Sequence, residues 1–219
     1  MYTSVNAFAK VPVYNREMLT TRSHAAVRMP RAARREQLLR AAAEAFLNSG
    51  YEKTSMDDVA KAAGVTRLIV YRIFESKEAL YLAVIAAVLD DLAEQFEPGP
   101  KPLPIEERSS ITAMLLGIAR RHPDGFRLLW RHTSNQPEFH ELFMLFKGEA
   151  TEYAVGLIKE ISTNPLIVRW AAESVVSHLY ESICLWLDNG DPALDGEFLR
   201  MLADGVRAMI LAWFGSESG

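Results

Sequence analysis

Several features that define common protein classes are missing from this sequence of 219 residues. Cys184 is its only cysteine, so the chain can form neither an internal disulfide nor a cysteine-rich zinc site. Because Cys184 lies in an apolar run, we expect a buried and unreactive thiol. No apolar stretch reaches the roughly 20 residues that span a bilayer, and we predict no membrane partner.

Sequence motifs of catalysis are missing as well. The chain contains no glycine-rich dinucleotide or phosphate-binding loop and no nucleophile elbow. The candidate acid–base residues are His24, His122, His132, His140 and His178. No two of them have metal-ligand spacing on one helix, so we predict neither a metal site nor a cofactor. An α-helical enzyme that uses the histidines of the C-terminal part is the alternative hypothesis for function.

Alternation of apolar and polar residues, which would indicate strands, does not occur, and no internal repeat is present. Apolar residues instead return at helical intervals, which predicts an all-α protein. Four prolines within residues 97–104 predict a linker, since each removes a backbone donor and fixes φ. The longer predicted helices span about 32–48, 77–96, 105–121, 124–132, 137–161, 165–188 and 196–214.

Two short helices joined at a glycine are predicted between the first two long ones. Thr54 or Ser55 can cap the first short helix, and Asp57 and Asp58 stand three residues later, as a capping box requires. Both carboxylates also suit the positive end of the helix dipole. Gly64 then permits a sharp turn, because glycine adopts a positive φ without a Cβ penalty.

The second short helix has an apolar side and a polar side, and Thr66 can cap it. We predict that Val65, Val70 and Phe74 face the core. The outward-facing residues are predicted to be Thr66, Arg67, Tyr71 and Arg72. Such a pair of helices fits a helix-turn-helix, whose second helix enters the DNA major groove. A helical corner with a few surface charges is the alternative interpretation.

An ordered series of short motifs runs through residues 35–88. It comprises Phe46, Gly50-Tyr51, Thr54-Ser55, Ala63-Gly64-Val65, the Tyr-x-x-Phe from Tyr71 to Phe74, and the Ser-Lys-Glu-x-Leu from Ser76 to Leu80. In this order the motifs resemble the TetR/AcrR family of bacterial transcriptional regulators. The resemblance covers about a quarter of the chain, and the rest matches the family only in the length and order of its helices.

The resemblance implies a sequence-specific DNA-binding regulator. The residues it places against DNA are Thr54, Ser55, Thr66, Arg67, Ile69, Tyr71, Arg72 and Lys77. Lys77, at the N-terminus of its helix, suits a phosphate. Where the family often has Gly-Thr-Leu, this chain has Leu68-Ile69-Val70. Ile69 therefore cannot donate the hydrogen bond of the usual threonine, but it can contact a thymine methyl group.

Charge is divided unevenly along the chain. Residues 1–80 contain 13 Lys+Arg and 8 Asp+Glu, a net charge of +5, whereas residues 81–219 contain 11 and 20, a net charge of −9. This asymmetry is typical of a DNA-binding module joined to a body that does not bind DNA. The basic run Arg31, Arg34 and Arg35 could lie along phosphates as an arm, or it could simply solvate a tail.

Three segments are predicted along the chain. They are a disordered tail at 1–30, a three-helix helix-turn-helix domain at 31–76 with its motif at 55–74, and a helical ligand-binding and dimerisation domain at 77–219. Met18 and Met29 precede the resemblance, so residues 1–28 could be absent from the native product. The tail lacks the apolar core of a secretion signal, and we expect a cytoplasmic protein.

Bulky apolar residues recur through the middle helices. In family members this region usually encloses a small-molecule cavity, so the resemblance implies an apolar or aromatic effector. We predict that the cavity is lined by Met114, Ile118, Phe126, Trp130, Phe139 and Phe143. Its candidate polar groups are Arg127, Arg131, His132, Gln136 and Tyr153. The alternative interpretation is that these apolar side chains form an ordinary core.

The last two predicted helices are apolar on more than one side. The family pairs two such helices from each subunit, which implies a homodimer. The predicted dimer contacts are Val175, Leu179, Trp186, Leu202, Met209 and Trp213. Two recognition helices would then address the two half-sites of a palindromic operator on double-stranded DNA. The predicted function is a homodimeric repressor that a small-molecule effector releases from its operator.

Overall fold

The computed structural model describes residues 30–95, 108–159, 161–162 and 164–215. Every regular element in these ranges is helical, which confirms the predicted all-α class. Within the same ranges, we find no helix that combines the length and the hydropathy of a membrane span. Residues 1–29 of the predicted tail and the predicted linker at 97–104 lie outside the described residues.

The chain divides into two compact units, of which the first ends at Ala87 and the second begins at Val88. The helices of the first unit are α1 (Arg31–Ser49), α2 (Met56–Ala62), α3 (Arg67–Ile73) and the first half of α4 (Lys77–Gln95). The bounds of α1 and α4 lie within about two residues of the predicted ones. The helix order is that of the predicted helix-turn-helix domain.

An aromatic cluster joins the start of α4 to α1. The ring centroid of Tyr81 lies 5.2 Å from that of Phe46 and 5.2 Å from that of Tyr51, and both contacts are edge-to-face. All three rings are buried. These contacts explain why the first unit continues beyond residue 76, where we predicted the DNA-binding domain to end.

The second unit is built from longer helices. They are the second half of α4, α5 (Arg108–Arg121), α6 (Pro123–Arg127), α7 (His140–Ile158), α8 (Pro165–Asn189) and α9 (Asp195–Phe214). α7 packs mainly against α8, and α5 packs against both α8 and α9. Short 3₁₀ turns occur at Thr133–Asn135, Pro137–Phe139 and Pro192–Leu194.

The segment between α6 and α7 differs from the prediction. Leu128–His132, predicted to be α-helical, forms a π-helical turn directly after α6. α7 begins at His140 rather than at residue 137, because Pro137 opens a separate 3₁₀ turn. Apolar spacing cannot distinguish these helix types over a single turn, so the sequence did not predict them.

Ion pairs attach this irregular segment to α8. Arg127 Nε donates to Asp188 Oδ1 at 2.6 Å, and Arg131 Nη1 donates to Asp188 Oδ2 at 2.6 Å. Arg131 Nη2 also donates to Glu181 Oε1 at 2.6 Å. Burial opposes ionisation of Asp188, but the hydrogen bonds from Arg131 and Arg127 prevail and hold the pKa of Asp188 below its usual range.

Candidate nucleic-acid interface

A complete capping box begins α2. Ser55 Oγ accepts a hydrogen bond from the Asp58 backbone N–H at 3.2 Å, and the Asp58 carboxylate accepts one from the Ser55 backbone N–H at 3.0 Å. Of the pairs that the sequence left open, the structure therefore selects Ser55 with Asp58. The Ser55 hydroxyl also donates to Asp58 at 2.6 Å, and these hydrogen bonds from Ser55 lower the pKa of Asp58.

The turn between α2 and α3 is held from two sides. Gly64 has a φ of 63°, the left-handed conformation that the sequence predicted for it. The Val65 N–H donates to Ala60 O at 2.9 Å, which closes the turn. From α1, Gln37 Nε2 donates to Ala63 O at 2.7 Å. These bonds fix the angle at which α3 leaves the turn.

One side of α3 is anchored in the core of the first unit, and the other is exposed. Val70 and Phe74 are buried, whereas Val65 is only half-buried. The exposed residues include the four predicted to face outward, namely Thr66, Arg67, Tyr71 and Arg72. Thr66 occupies the N-cap position, but its side chain makes no capping hydrogen bond, contrary to our prediction.

Leu68 is a surface residue that was not among the predicted outward-facing ones. Its side chain is 72% exposed and belongs to the same exposed side of α3 as Arg67 and Tyr71. Ile69, which we assigned a thymine contact, is half-buried. Helical spacing contained the signal, since Leu68 and Arg72 are four residues apart and therefore share a face.

Arg67 connects the two helices of the motif. Its Nη1 donates to Asp57 Oδ2 at 3.0 Å, and its Nη2 donates to Tyr71 Oη at 3.3 Å. The guanidinium carbon also lies 5.1 Å from the centroid of the Tyr71 ring. The hydrogen bond to Tyr71 and the attraction to Asp57 raise the pKa of Arg67. Asp57 and Arg67 keep 47% and 60% of their side-chain surface exposed.

Two residues predicted to contact DNA have internal partners instead. Thr54 is 2% exposed, and its hydroxyl lies 2.7 Å from Gly50 O and 3.1 Å from Ala45 O. The side chain of Thr54 therefore closes the α1–α2 connection and does not belong to the exposed surface. This corrects our prediction for Thr54.

Lys77 is the second of these residues. Its Nζ donates to Tyr51 O at 2.8 Å and to Glu52 O at 3.2 Å, and it lies 4.3 Å from the Tyr51 ring centroid. The ammonium group thus links the start of α4 to the α1–α2 connection, which leaves it poorly placed for a phosphate. The neighbouring Ser76 caps α4 as predicted, since its Oγ accepts from the Ala79 N–H at 3.0 Å.

The basic run before α1 is part of the helix and not a separate arm. α1 begins at Arg31, and Arg34 donates to Gln37 at 2.8 Å. The guanidinium carbon of Arg35 lies 5.6 Å from the Phe74 ring centroid. Arg35 consequently contacts the end of α3, and its placement fits neither of the two alternatives that the sequence left open, an arm along phosphates or a solvating tail.

In the second unit, three predicted effector contacts belong to one aromatic cluster. Tyr180 stacks between Phe126 and Trp130, with ring centroids 5.4 Å and 5.0 Å away. Phe143 lies 6.0 Å from Trp130, and Phe146 lies 5.4 Å from Tyr180. Sequence reasoning missed Tyr180, because α8 had been assigned to dimerisation.

The other predicted effector contacts are mostly buried. Ile118 and Phe139 are fully buried, and Met114 is half-buried. Tyr180 is 5% exposed, and its hydroxyl has no hydrogen-bond partner among the described residues. Burial raises the pKa of Tyr180 above its usual range. The hydroxyl therefore remains a proton donor at neutral pH.

The candidate polar groups near this cluster are mostly committed elsewhere. Both arginines are held by the carboxylates of α8, and Trp130 Nε1 donates to Glu181 Oε2 at 3.1 Å. Cys184 is buried, as predicted, and burial raises the pKa of its thiol to about 12. Neither Arg127 nor Arg131 is thus free to bind a charged effector.

The predicted dimer contacts are divided between the interior and the surface of the second unit. Val175 and Leu202 are buried within one chain. Trp186 stacks on Phe198 at 4.5 Å, and its Nε1 donates to Asp195 Oδ1 at 2.7 Å. Leu179, Met209 and Trp213 are half-buried. The large exposed apolar residues of α8 and α9 are instead Leu166, Ile167, Trp170, Leu185, Met201 and Leu211.

A capping box at the exposed start of α2, a glycine turn and an exposed helix that carries cations define a helix-turn-helix DNA-binding protein. Residues 38–84 match the family described as bacterial regulatory proteins, tetR family. This segment of the chain thus matches the TetR/AcrR family of transcriptional regulators, as its motifs had suggested.

Curated relatives are regulators of the same kind. The HTH-type transcriptional activator FasR of Mycolicibacterium smegmatis is 28% identical over 170 residues, which cover 75% of this chain and 77% of FasR. The HTH-type transcriptional regulator RutR of Escherichia coli is 29% identical over 98 residues, or 44% of this chain and 46% of RutR.

Solved structures share the fold. A TetR-like transcriptional regulator from Rhodococcus sp. RHA1 is 22% identical, covers 87% of this chain and 100% of its own, and has a TM-score of 0.69. AibR, whose structure contains isovaleryl coenzyme A and operator DNA, is 21% identical, covers 83% of this chain and 98% of its own, and has a TM-score of 0.57. At these identities the likeness concerns the fold alone.

Proposed function

We propose that this regulator is a homodimeric repressor that binds a palindromic operator and is released by a small, largely apolar ligand. The observation that supports DNA binding most strongly is the exposed side of α3. It presents Arg67, Tyr71 and Arg72, while Val70 and Phe74 anchor the opposite side in the core. A helix held in this way can enter the major groove without unfolding its own support.

The DNA contacts that we now propose are those with exposed side chains. They are Ser55, Thr66, Arg67, Leu68, Tyr71 and Arg72. Ile69 is kept as a marginal contact at the edge of the helix, because part of its side chain is exposed. Hydroxyls and backbone groups position the protein on phosphates, whereas the side chains of α3 address base edges.

The proposed effector site is the aromatic cluster around Tyr180. Phe126, Trp130 and Phe143 provide an apolar surface, and the hydroxyl of Tyr180 offers one polar contact. An apolar or aromatic molecule with a single hydrogen-bond acceptor would suit these groups. Because both nearby arginines are paired, an effector with a free carboxylate at this position is disfavoured.

The proposed dimer surface consists of the exposed apolar residues of α8 and α9. Trp170 is 54% exposed and pairs with the half-buried Trp213 at a centroid distance of 4.7 Å. Leu185, Met201 and Leu211 extend the apolar surface along both helices. A homodimer formed here would present two copies of α3 to two half-sites.

The direction of regulation has two candidates. Release of a repressor by its effector requires that the effector bind the DNA-free conformation more tightly than the DNA-bound one. Activation is the second candidate, because the printed name of the relative FasR describes an activator. A reporter gene behind the bound promoter distinguishes them, since deleting the regulator raises expression if it represses and lowers expression if it activates.

The test of the proposed function is footprinting of the intergenic DNA beside the gene, at several salt concentrations. We expect a protected palindrome whose affinity falls steeply with salt, because phosphate contacts release counterions. Titration of a metabolite panel against the intrinsic fluorescence should then identify effectors, with Trp130→Phe as the control for the cluster. Equal affinity for all duplexes would contradict the proposal, and so would an effector that leaves operator affinity unchanged.

A further inference from the structure

The surface that we propose to face DNA contains a carboxylate, although DNA itself is an anion. Asp57 lies on α2 and accepts a hydrogen bond from Arg67 of α3 at 3.0 Å. Nearly half of its side chain is exposed, so Asp57 stands at the surface and not in the core. A carboxylate in this position weakens binding to phosphates in general. Its place in the first turn of α2 suits the helix dipole, but that does not account for its hydrogen bond to Arg67.

The geometry around Arg67 suggests a role for this hydrogen bond. Asp57 holds Nη1 and Tyr71 holds Nη2, while the ring of Tyr71 lies 5.1 Å from the guanidinium carbon. A guanidinium carries five N–H donors, and these two bonds use only two of them. Three donors therefore remain for DNA, which is sufficient for the two-donor contact that arginine makes with O6 and N7 of guanine.

We propose that Asp57 is a positioning residue that sets the base specificity of Arg67. With Asp57 and Tyr71 in place, the guanidinium is held across the two helices of the motif and directed at a guanine edge rather than at the nearest phosphate. The negative charge of Asp57 also acts against binding to DNA of the wrong sequence, where no base contact compensates for it. This inference rests on the proposed DNA-binding function and assigns a G·C base pair to each half-site.

In the free protein the ion pair between Asp57 and Arg67 is exposed and therefore weak, which is compatible with the proposed role. An exposed ion pair contributes little to folding stability, because water screens it. When the duplex covers α3, water is displaced and the same pair interacts more strongly. Asp57 should thus affect the discrimination between DNA sequences much more than it affects the stability of the first unit.

Asp58 provides a matched control for Asp57. The two carboxylates are adjacent on α2, but Asp58 belongs to the capping box with Ser55 and makes no contact with Arg67 that the structure describes. Asp57→Asn and Asp58→Asn remove the same charge from nearly the same place. Any general electrostatic effect on DNA affinity should therefore appear in both variants. An effect on Arg67 should appear in Asp57→Asn only.

The experiment is selection of bound duplexes from a pool with a randomised centre, followed by affinity measurements on single-base variants of the selected sequence. The base pair that Arg67 contacts is the one at which Arg67→Ala loses its preference. At this position, wild-type protein should bind duplexes with G·C roughly 5- to 150-fold more tightly than duplexes with another base pair. Asp57→Asn should reduce this preference, and Asp57→Ala should abolish it, while both bind unrelated DNA more tightly. Asp58→Asn should keep the preference.

Combining Asp57→Ala with Arg67→Ala should cause no further loss at that base pair, since both changes remove the same contact. Two results would overturn the role of Asp57. One is a preference for G·C in Asp57→Asn and Asp57→Ala that equals that of wild type. The other is a loss of this preference in Asp58→Asn that equals the loss in Asp57→Asn. If wild-type protein selects no common sequence at all, the proposed function fails before this inference is reached.

Discussion

The two units of this protein carry their apolar residues in different ways. In the first unit, the two sides of α3 differ chemically, since Val70 is buried and the opposite side carries Arg67 and Tyr71. In the second unit, α9 has apolar residues on both sides. Leu202 is buried within the chain, whereas Leu211 is 61% exposed.

This difference determines how far helical spacing can indicate function. On α3 the polar side can only be the surface, so the spacing identifies the candidate interface directly. On α8 and α9, spacing alone cannot tell a core residue from an interface residue. Trp186 illustrates the problem, because we predicted a dimer contact and it stacks on Phe198 of the same chain.

The largest effect is expected for Leu211→Glu in the second unit. If α8 and α9 form the dimer surface, this change removes two buried leucines and adds two charges per dimer, at a cost of about 3–6 kcal/mol. Met144→Glu is the matched control, because Met144 is similarly exposed but lies on α7. Sedimentation should show monomers for Leu211→Glu only. If Leu211→Glu has the same dimer dissociation constant as wild type, Leu211 does not belong to the dimer interface.

The next largest effect is expected for Arg67→Ala in the first unit. Loss of a two-donor base contact should cost about 1–3 kcal/mol of operator affinity per half-site, with the fold intact. Arg40→Ala removes an exposed cation from α1 and should change operator affinity by no more than about threefold. Anisotropy of a labelled operator duplex measures both. Similar losses in the two variants would mean that α3 contributes only charge.

A smaller effect is expected from alanine at two glycines, one in each unit. Gly64→Ala places a Cβ at a φ of 63° and should destabilise the first unit by roughly 1–2 kcal/mol, although no atom lies within 4 Å. Gly148→Ala lies within α7, again without a neighbour, and should stabilise the second unit by about 0.5–1 kcal/mol. Circular dichroism in urea reports both changes. A shift of the same sign in both variants would contradict this account.

The smallest effect concerns acid stability of the second unit. The Arg120 guanidinium, at 2.6 Å, and then the Trp186 N–H hold the pKa of Asp195 below its usual range. A lowered pKa adds stability above about pH 4, and this contribution is lost as pH falls through the lowered value. Asp195→Asn should therefore lower the free energy of unfolding by on the order of 0.5–1 kcal/mol at pH 7. It should have no effect at a pH below the lowered pKa of Asp195.

Tryptophan fluorescence is a suitable measurement, because all four tryptophans belong to the second unit. Asp204→Asn changes an exposed carboxylate of the same helix and serves as the control. Urea midpoints are measured at neutral pH and at a pH below the lowered pKa of Asp195. The midpoint of Asp195→Asn should differ from that of wild type only at neutral pH. A pH-independent difference would show that the ion pair of Asp195 is not its cause.

Much of the first unit was predictable, because its determinants are close together in the sequence. Ser55 caps α2 by accepting a hydrogen bond from the residue three positions later, Asp58. The turn at Gly64 depends only on the backbone conformation of the glycine itself. The roles of Thr54 and Lys77 were not predictable, since their partners are backbone carbonyls across a loop or a helix. Family motifs indicate that a residue is needed at a position, but they do not show whether it contacts DNA or supports the fold.

Contacts between distant residues account for the other gaps. Asp57 and Arg67 are ten residues apart across a turn, a separation that no helical period connects. Tyr180 reaches the aromatic cluster from α8, and it lies 54 residues after Phe126, with which it stacks. The exposed apolar residues of α8 and α9 became apparent only once burial within one chain was known.

The central claim, that the exposed side of α3 contacts duplex DNA, can be tested with one reactive thiol. Cys184 is buried and has a raised pKa, so Leu68→Cys would introduce the only readily alkylated sulfur. We predict that saturating operator duplex slows its alkylation at least about tenfold, while a thiol introduced by Met144→Cys on α7, outside the proposed dimer surface, reacts at the same rate with or without DNA. Equal alkylation at position 68 in the free and DNA-bound protein would contradict the account.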